Sequence, residues 1–171
     1  MATKGSLREF QAHLAARLAG VVGRSAAGLL GVQSGTEYWL VNLVDSGEVV
    51  PLPPLTGVPL TKPWFVGIAN IRGNLYSVSD FSAFQSKEST PQNAASRLLL
   101  IGARYGNNAA LLVNRMLGLR NMDDLTLAAP DADAPAWAAQ AFTDKEGRRW
   151  RLLDVKALLA DEAFMDIGVP V

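Results

Sequence analysis

The sequence predicts a mainly β protein, a barrel architecture in two halves with a helix at each end. Short runs of β-branched and aromatic residues, separated by turn signals, indicate roughly seven to ten strands. Helical periodicity is confined to the two ends of the chain. With 171 residues, of which 49% are hydrophobic and 19% charged, the chain is long enough and apolar enough for a packed core.

Residues 1–28 are predicted to form an amphipathic helix and a linker. Ser6 and Glu9 have the spacing of a capping box. The apolar positions recur at steps of three and four residues: Leu7, Phe10, Leu14, Leu18, and Val21 or Val22. Docking of this helix on its own domain is the favoured interpretation, with an acidic partner or a membrane surface as the alternative.

Residues 29–171 are predicted to form the β domain. The run 37–43 alternates in the manner of a strand, and the proline-rich stretch that follows it, up to Pro63, fits turns and short extended pieces. The runs 67–72 and 75–81 are predicted to form a hairpin joined by Gly73-Asn74. The polar loop 85–96 is predicted to separate the first β half from the second.

The second half repeats this organisation. Runs 97–104 and 110–119 flank the hairpin signature 105–108, and a further hairpin is expected around the turn 144–147. Asp154 is a predicted N-cap for a closing helix. Within the run RRWRLLD, alternation turns Arg149 and Arg151 toward solvent and Trp150 toward the core.

Composition excludes several classes of function. The charges of the 16 basic and 16 acidic side chains cancel, so nucleic-acid binding by bulk charge is not expected. Cysteine is absent and His13 is the single histidine, so disulfides, thiolate chemistry and Cys/His zinc sites are not expected. No phosphate-binding glycine motif occurs. The clustered loop carboxylates fit solvated acids: Asp123, Asp124, Asp131 and Asp133. We therefore predict no catalytic residue, metal site or cofactor.

The location of the protein is predicted from its hydropathy. No apolar run reaches the roughly 18 residues of a membrane-spanning helix. The first 20 residues place charged side chains among the apolar ones, unlike a signal peptide. Together with the absence of cysteine, this predicts a soluble cytoplasmic protein.

Three segments resemble the CheW-like coupling domain of bacterial chemotaxis pathways. GIANIRGNLYSVSDF at 67–81 is similar to the family's Asn-apolar-Arg-Gly hairpin, with Ser77 at a frequent proline position. LLVNRMLGL at 111–119 is similar to a second motif, with Asn114 where the family usually has an acid. The closing hairpin and helix are similar to the family's C-terminal part. The resemblance covers about residues 32–162.

This resemblance implies two small five-stranded SH3-like barrels that share a core. It also implies a non-enzymatic adaptor that binds the regulatory domain of a CheA-like histidine kinase and the cytoplasmic tip of a methyl-accepting chemoreceptor. Within the family, the length and the short tail resemble the coupling proteins of twitching motility, which control type IV pili. The protein would reach the inner membrane only indirectly, through receptor arrays.

Candidate partner-binding residues follow from the motif and the resemblance. Arg72 lies at a strand end, where its planar guanidinium could meet a partner carboxylate, although an internal ion pair with Asp80 explains it as well. Asn70, Gly73 and Asp80 belong to the same hairpin. The resemblance also implies that Val44, Val49 and Val50 line a groove for a receptor helix, and core burial is the alternative. Gly67 and Asn74 are expected to be structural turn positions.

Two other classes of function stay open. The first is an SH3-like module that binds proline-rich peptides outside signalling arrays. The second is a small hydrolase, for which His13 would be the base of a catalytic triad.

Overall fold

The computed structural model describes residues 28–170, and the helix predicted from Ser6 onward lies outside them. The described part contains twelve strands: β1 (Leu29–Ser34), β2 (Glu37–Asn42), β3 (Ser46–Pro51), β4 (Leu55–Thr56), β5 (Phe65–Ile71), β6 (Asn74–Asp80), β7 (Arg97–Ile101), β8 (Ala109–Val113), β9 (Arg115–Arg120), β10 (Leu125–Ala128), β11 (Gln140–Asp144) and β12 (Arg149–Leu153). It also has three short α-helices: α1 (Phe81–Phe84), α2 (Val155–Ala160) and α3 (Glu162–Met165).

The strands form two mixed sheets. Sheet I has the order β10-β11-β12-β2-β1-β9, and sheet II has the order β3-β7-β8-β6-β5-β4. Most neighbours are antiparallel, but β2 with β12 and β6 with β8 are parallel. The mainly β fold expected from the sequence is confirmed.

Each sheet curls around its own apolar cluster. Leu117 on β9 and Leu125 on β10, the two edges of sheet I, pack against the same cluster, which we call core I: Leu29, Leu40, Phe142, Trp150 and Leu152. Sheet II closes likewise around core II: Ala69, Ile71, Val78, Leu98, Leu100, Ala110 and Leu112. Curling brings the edges of a sheet together, so each sheet is a small barrel.

A third cluster, the central core, lies between the barrels. Leu30, Val32, Trp39 and Val41 of sheet I meet Leu99, Ile101, Leu111 and Val113 of sheet II there. Strand alternation explains how one strand serves two cores. On β2, Trp39 and Val41 point to the central core, while Leu40 points to core I. Strands covered on both faces are apolar at every position, as β8 is.

Two features differ from the sequence expectation. Each sheet has six strands and not five, because the run 110–119 breaks at Asn114 and supplies β8 to sheet II and β9 to sheet I. The loop 85–96 also does not separate two consecutive halves. It connects α1 to β7, and the strands on both sides of it, β6 and β7, belong to sheet II. Sheet II is formed by the consecutive strands β3 to β8, which are inserted between β2 and β9 of sheet I.

The closing helix is likewise shorter than predicted. Asp154 does cap α2, accepting a hydrogen bond from the backbone N–H of Ala157 at 3.0 Å. The helix ends at Ala160, and Asp161 caps α3 by accepting from Ala163 N–H at 2.8 Å. An aspartate that takes the extended conformation of an N-cap divides one expected helix into two.

Candidate partner-binding surfaces

The tip of the β5–β6 hairpin carries Arg72 on a two-residue turn. Arg72 and Gly73 have φ of 53° and 87°, as a type I′ turn requires, and Asn74 is the first residue of β6, paired with Ile71. The prediction that Gly73-Asn74 forms the turn, with Asn74 as a turn position, is therefore wrong by one residue. Asn70 Oδ1 accepts the Gly73 N–H at 2.9 Å, which holds the turn in this register.

Arg72 forms a bidentate ion pair with Glu48 on β3. Arg72 Nη1 donates to Glu48 Oε1 at 3.1 Å, and Nη2 donates to Oε2. The hydrogen bond from Arg72 lowers the pKa of Glu48, and the bond to Glu48 raises the pKa of Arg72. The side chains are 68% and 39% exposed, so the pair is accessible from solvent. β3 and β5 are four positions apart in the strand order of sheet II. The Arg72–Glu48 ion pair connects β3 with the end of β5 because the curled sheet brings these strands together.

Asp80 is not on this surface. It is 2% exposed, accepts from Thr90 N–H at 2.7 Å and from Thr90 Oγ1 at 2.6 Å, and caps α1 through Ala83 N–H at 3.3 Å. The Asp80 carboxylate therefore holds the loop 85–96 against α1 at Thr90. Burial rules out both of the roles expected for Asp80, as a partner-binding residue and as the acid paired with Arg72.

Gly67 lies at a β-bulge on β5, opposite Val78. Its φ of 136° is a conformation that L-residues rarely adopt, and a Cβ there would overlap the carbonyl oxygen of Thr56 on the neighbouring strand. Gly67 is thus a backbone requirement of the barrel, at a bulge and not in a turn. Gly73, by contrast, has open space around it.

The three valines do not share one face. Val49 packs against the central core and Val50 against core II, because neighbouring residues of β3 point in opposite directions. Both are half-buried, and Val44, in the β2–β3 turn, is 37% exposed. Val49 therefore lies beside the central core, whereas Val50 points into core II.

An exposed apolar patch on β9 was not found from the sequence. Met116 and Leu119 are 47% and 69% exposed, and we call these two residues the β9 patch. Leu119 pairs with Leu30, which pairs with Val41, so these three residues form one row across sheet I on the side of the central core. A bulge in the β1–β9 pairing after Gly31 puts Met116 beside Val32 on that same face. Simple alternation along β9 would place Met116 and Leu119 on opposite faces.

Asn114 joins the two barrels beside the patch. Asn114 Oδ1 accepts the Gly35 N–H at 2.7 Å, and the Asn114 N–H donates to Gln33 O at 2.9 Å. Either an amide oxygen or a carboxylate oxygen can accept this hydrogen bond. The role of this position in the β1–β2 turn therefore does not need the acid that the family usually has.

A charged network lies on the outer side of sheet I. Arg151 Nη1 contacts Glu37 Oε2 at 2.6 Å, Arg151 and Arg149 both pair with Asp131, and Lys87 pairs with Glu37. Burial lowers the pKa of Lys87, and repulsion from Arg151 lowers it further by a smaller amount. Lys87 follows α1 and Glu37 begins β2, so the network ties the loop 85–96 to sheet I.

An open pocket of about 530 Å³ adjoins this network. Its lining includes Tyr38 and Arg148, whose guanidinium carbon lies 4.2 Å from the Tyr38 ring centroid. Trp150 is fully buried, as alternation along β12 predicted.

Within residues 28–170, no cluster of three or more His, Cys, Asp or Glu side chains could hold a metal ion, and no helix has the length and hydropathy to cross a membrane.

Comparison with known proteins agrees with this architecture. The CheW-like domain family matches residues 28–163. Protein PilI from Pseudomonas aeruginosa is 27% identical over 145 residues, which are 82% of this chain and 79% of PilI. The crystal structure of the scaffolding protein TtCheW from Thermoanaerobacter tengcongensis is similar with a TM-score of 0.63 and 17% identity, over 74% of this chain and 88% of TtCheW.

These matches confirm the resemblance drawn from the hairpin motif, and the TtCheW structure shows the same fold. The family match covers most of the chain and all twelve strands of the two barrels. The chain belongs to the CheW-like domain family.

Proposed function

We propose that this protein is a non-enzymatic adaptor that couples chemoreceptors to a CheA-like histidine kinase. In this proposal the pathway is of the chemotaxis type and controls type IV pili, as the similarity to PilI suggests. The observation that carries the proposal is the exposed, preorganised Arg72–Glu48 pair at a rigid hairpin tip.

The hairpin tip fits the kinase contact. Arg72 adopts a positive φ that is uncommon for an arginine, and Asn70 holds the turn that imposes it. Strain of this kind is often kept at functional sites. The Arg72 guanidinium has five N–H donors, and Glu48 accepts from two nitrogens, so donors remain for a carboxylate or carbonyl of the kinase regulatory domain.

The junction of the barrels fits the receptor contact. The β9 patch and Val49 offer apolar surface beside the central core, and Val44 is exposed in the β2–β3 turn. A receptor cytoplasmic tip is a helical hairpin, and an apolar stripe on such a helix binds a hydrophobic groove through anchors spaced three and four residues apart. Val50 is left out of this contact because it faces core II.

Two small surfaces are enough for coupling within an array. Each contact would be at the small end of specific interfaces, and many neighbouring adaptors, kinases and receptors supply avidity. The protein would then be cytoplasmic, recruited to inner-membrane arrays by the receptors, without a cofactor and without nucleic acid as a partner.

The experiment compares Arg72→Ala with Glu48→Ala. Both variants remove the same ion pair, but only Arg72→Ala removes the donors offered to a partner. We expect Arg72→Ala to weaken binding to the kinase regulatory domain by about tenfold, Glu48→Ala to weaken it much less, and both to leave Tm nearly unchanged, because exposed ion pairs contribute little to stability. Calorimetric titration and thermal unfolding measure these quantities.

Two results would overturn this role for Arg72. A large and equal loss of Tm in both variants would mean that the ion pair is architectural and closes sheet II. Unchanged kinase binding by a folded Arg72→Ala variant would place the contact elsewhere.

A titration with proline-rich peptides tests the SH3-like alternative. Modules of that kind present exposed aromatic grooves to polyproline helices. Here Trp39, Trp137 and Trp150 are buried, so their rings are not available as a binding platform. Tight binding of such a peptide, without binding of the kinase domain, would favour the alternative.

A further inference from the structure

Four cationic side chains line two neighbouring pockets beside sheet I. Arg148 and Arg149, at the turn before β12 and its first residue, line the open pocket of about 530 Å³. A second pocket, of about 470 Å³, shares Arg151 with the first and is also lined by Lys87. We call these four residues the basic site: Lys87, Arg148, Arg149 and Arg151.

A carboxylate from a loop of the same chain occupies the basic site. Asp131 belongs to the loop 129–135, which lies between β10 and β11. Asp131 Oδ1 accepts from Arg149 Nη2 at 3.2 Å, and Asp131 Oδ2 pairs with Arg151 Nη2. Charge-assisted bonds from guanidinium groups are also the means by which arginines recognise a carboxylate of another molecule. Asp131 therefore marks a place where a carboxylate fits.

The loop that carries Asp131 has few other contacts to hold it there. Residues 129–133 are all exposed, and Arg149 Nη2 donates to Ala129 O at 2.7 Å. The Ala134 N–H donates to Asp131 O at 3.1 Å, but this bond is internal to the loop. A segment without buried apolar side chains opens at a small free-energy cost, and exposed ion pairs add little. An external carboxylate can therefore replace Asp131.

Two cations of the basic site have capacity beyond the Asp131 contact. Arg148 forms no ion pair with any residue among 28–170. The Asp144 carboxylate is engaged by Trp150 Nε1 and by two backbone N–H groups. Lys87 shares the single carboxylate of Glu37 with Arg151. Arg148 and Lys87 can thus each meet a further acidic group.

The acids around the basic site indicate which kind of anion it can accept. Glu37 and Glu146 line the first pocket, and Asp133 lines the second. These carboxylates would repel a nucleic acid, which carries a negative charge at every nucleotide. A peptide in which acidic and small side chains alternate can place its carboxylates at the cations and its small side chains beside the acids. Charge complementarity therefore favours an acidic peptide.

We propose that the basic site binds an acidic peptide segment of a partner protein, and that Asp131 occupies the site when this partner is absent. Binding of the peptide then displaces the loop 129–135 from Arg149 and Arg151. Occupation by Asp131 lowers the apparent affinity for the partner by the fraction of time that the site is free. The basic site uses none of the residues assigned above to the kinase and receptor contacts.

Fluorescence anisotropy of the full chain with a labelled peptide of repeated Glu-Ala tests the proposal. Asp131→Asn removes the internal carboxylate and nearly keeps its volume, so we expect this variant to bind the peptide about tenfold more tightly. Arg149→Gln removes a guanidinium that the peptide needs, so we expect it to bind about tenfold more weakly.

Matched substitutions in two exposed ion pairs elsewhere serve as controls. Asp166→Asn changes the net charge as Asp131→Asn does, in the pair with Lys62, and Arg104→Gln changes it as Arg149→Gln does, in the pair with Asp45. Both controls should leave the affinity for the peptide nearly unchanged. An equal gain from Asp131→Asn and Asp166→Asn would overturn the proposal, because net charge alone would then explain binding.

Three further outcomes would also overturn the proposal. The first is no binding of the Glu-Ala peptide by either the parent chain or the Asp131→Asn variant. The second is equal binding of a peptide of repeated Gln-Ala, and the third is tighter binding of a single-stranded oligonucleotide than of the Glu-Ala peptide.

A double-mutant cycle tests the displacement of Asp131 itself. If Asp131 and the peptide compete for the same guanidinium, Asp131→Asn should lose most of its gain in affinity in the Arg149→Gln background. An undiminished gain would contradict the displacement. Because these titrations contain neither a kinase nor a receptor, their results do not depend on the adaptor function.

Discussion

The Asp80–Thr90 contact makes the sharpest stability prediction, because Asp80 is an expected surface residue that proves to be buried. The Asp80 carboxylate accepts three hydrogen bonds, two from Thr90 and one from the Ala83 N–H at the start of α1. Thr90 is 5% exposed, so its N–H and hydroxyl cannot turn to water when the carboxylate is removed. Asp80→Ala should therefore be strongly destabilising.

Asp154→Ala is a matched control for the size of the effect. Asp154 caps α2 through Ala157 N–H in the same way, but it is exposed. Loss of an exposed cap costs about 1 kcal/mol. Asp80→Ala should add the cost of one or two unsatisfied buried donors, so that the free energy of unfolding falls by about 3–5 kcal/mol.

Urea unfolding, followed by tryptophan fluorescence and by circular dichroism, measures both variants. A loss in Asp80→Ala no greater than that in Asp154→Ala would refute the argument from burial. Weakened binding of the kinase domain by an Asp80→Ala variant of unchanged stability would restore Asp80 to the partner surface.

Two further predictions concern the barrels. Gly67→Ala should lower the free energy of unfolding by about 2–4 kcal/mol, because the φ of Gly67 is strained for alanine and the added Cβ would overlap Thr56. Gly73→Ala should lower it by only about 1 kcal/mol, because the space around Gly73 is open. Equal losses for the two variants in urea titration would contradict this prediction. The bond from Trp150 Nε1, at 2.9 Å, lowers the pKa of Asp144 below 3.8. The resulting stability is present above pH 3.8 and is lost as the pH falls through the lower, folded-state pKa. Asp144→Asn should flatten this acid dependence of unfolding, and an unaltered slope would contradict it.

Local patterns explain why the strands could be predicted. Alternation along 37–43 placed Trp39 and Leu40 on opposite faces, and they pack in different cores. The cap at Asp154 and the hairpin before it follow from turn and capping residues within a few positions of one another. Interactions between residues a few positions apart can be predicted from the local sequence.

Long-range pairing explains what could not be predicted. Glu48 and Arg72 are 24 residues apart, and they meet only because sheet II curls until β3 lies near the β5–β6 tip. The β2–β12 and β1–β9 pairings complete sheet I across the inserted strands of sheet II, and alternation within a strand carries no information on its neighbours. The β9 patch depends on a bulge opposite Gly31, which shifts Met116 to the face of Leu119.

The proposal that this protein holds a kinase and a receptor at once is tested most directly by a three-component sedimentation measurement. The full chain would be combined with the regulatory domain of the CheA-like kinase and a soluble receptor tip fragment from the same genome. We expect one complex that contains all three. Arg72→Ala should release the kinase domain and Leu119→Glu should release the receptor fragment. Mutually exclusive binding of the two partners, or binding of neither one, would contradict the coupling function.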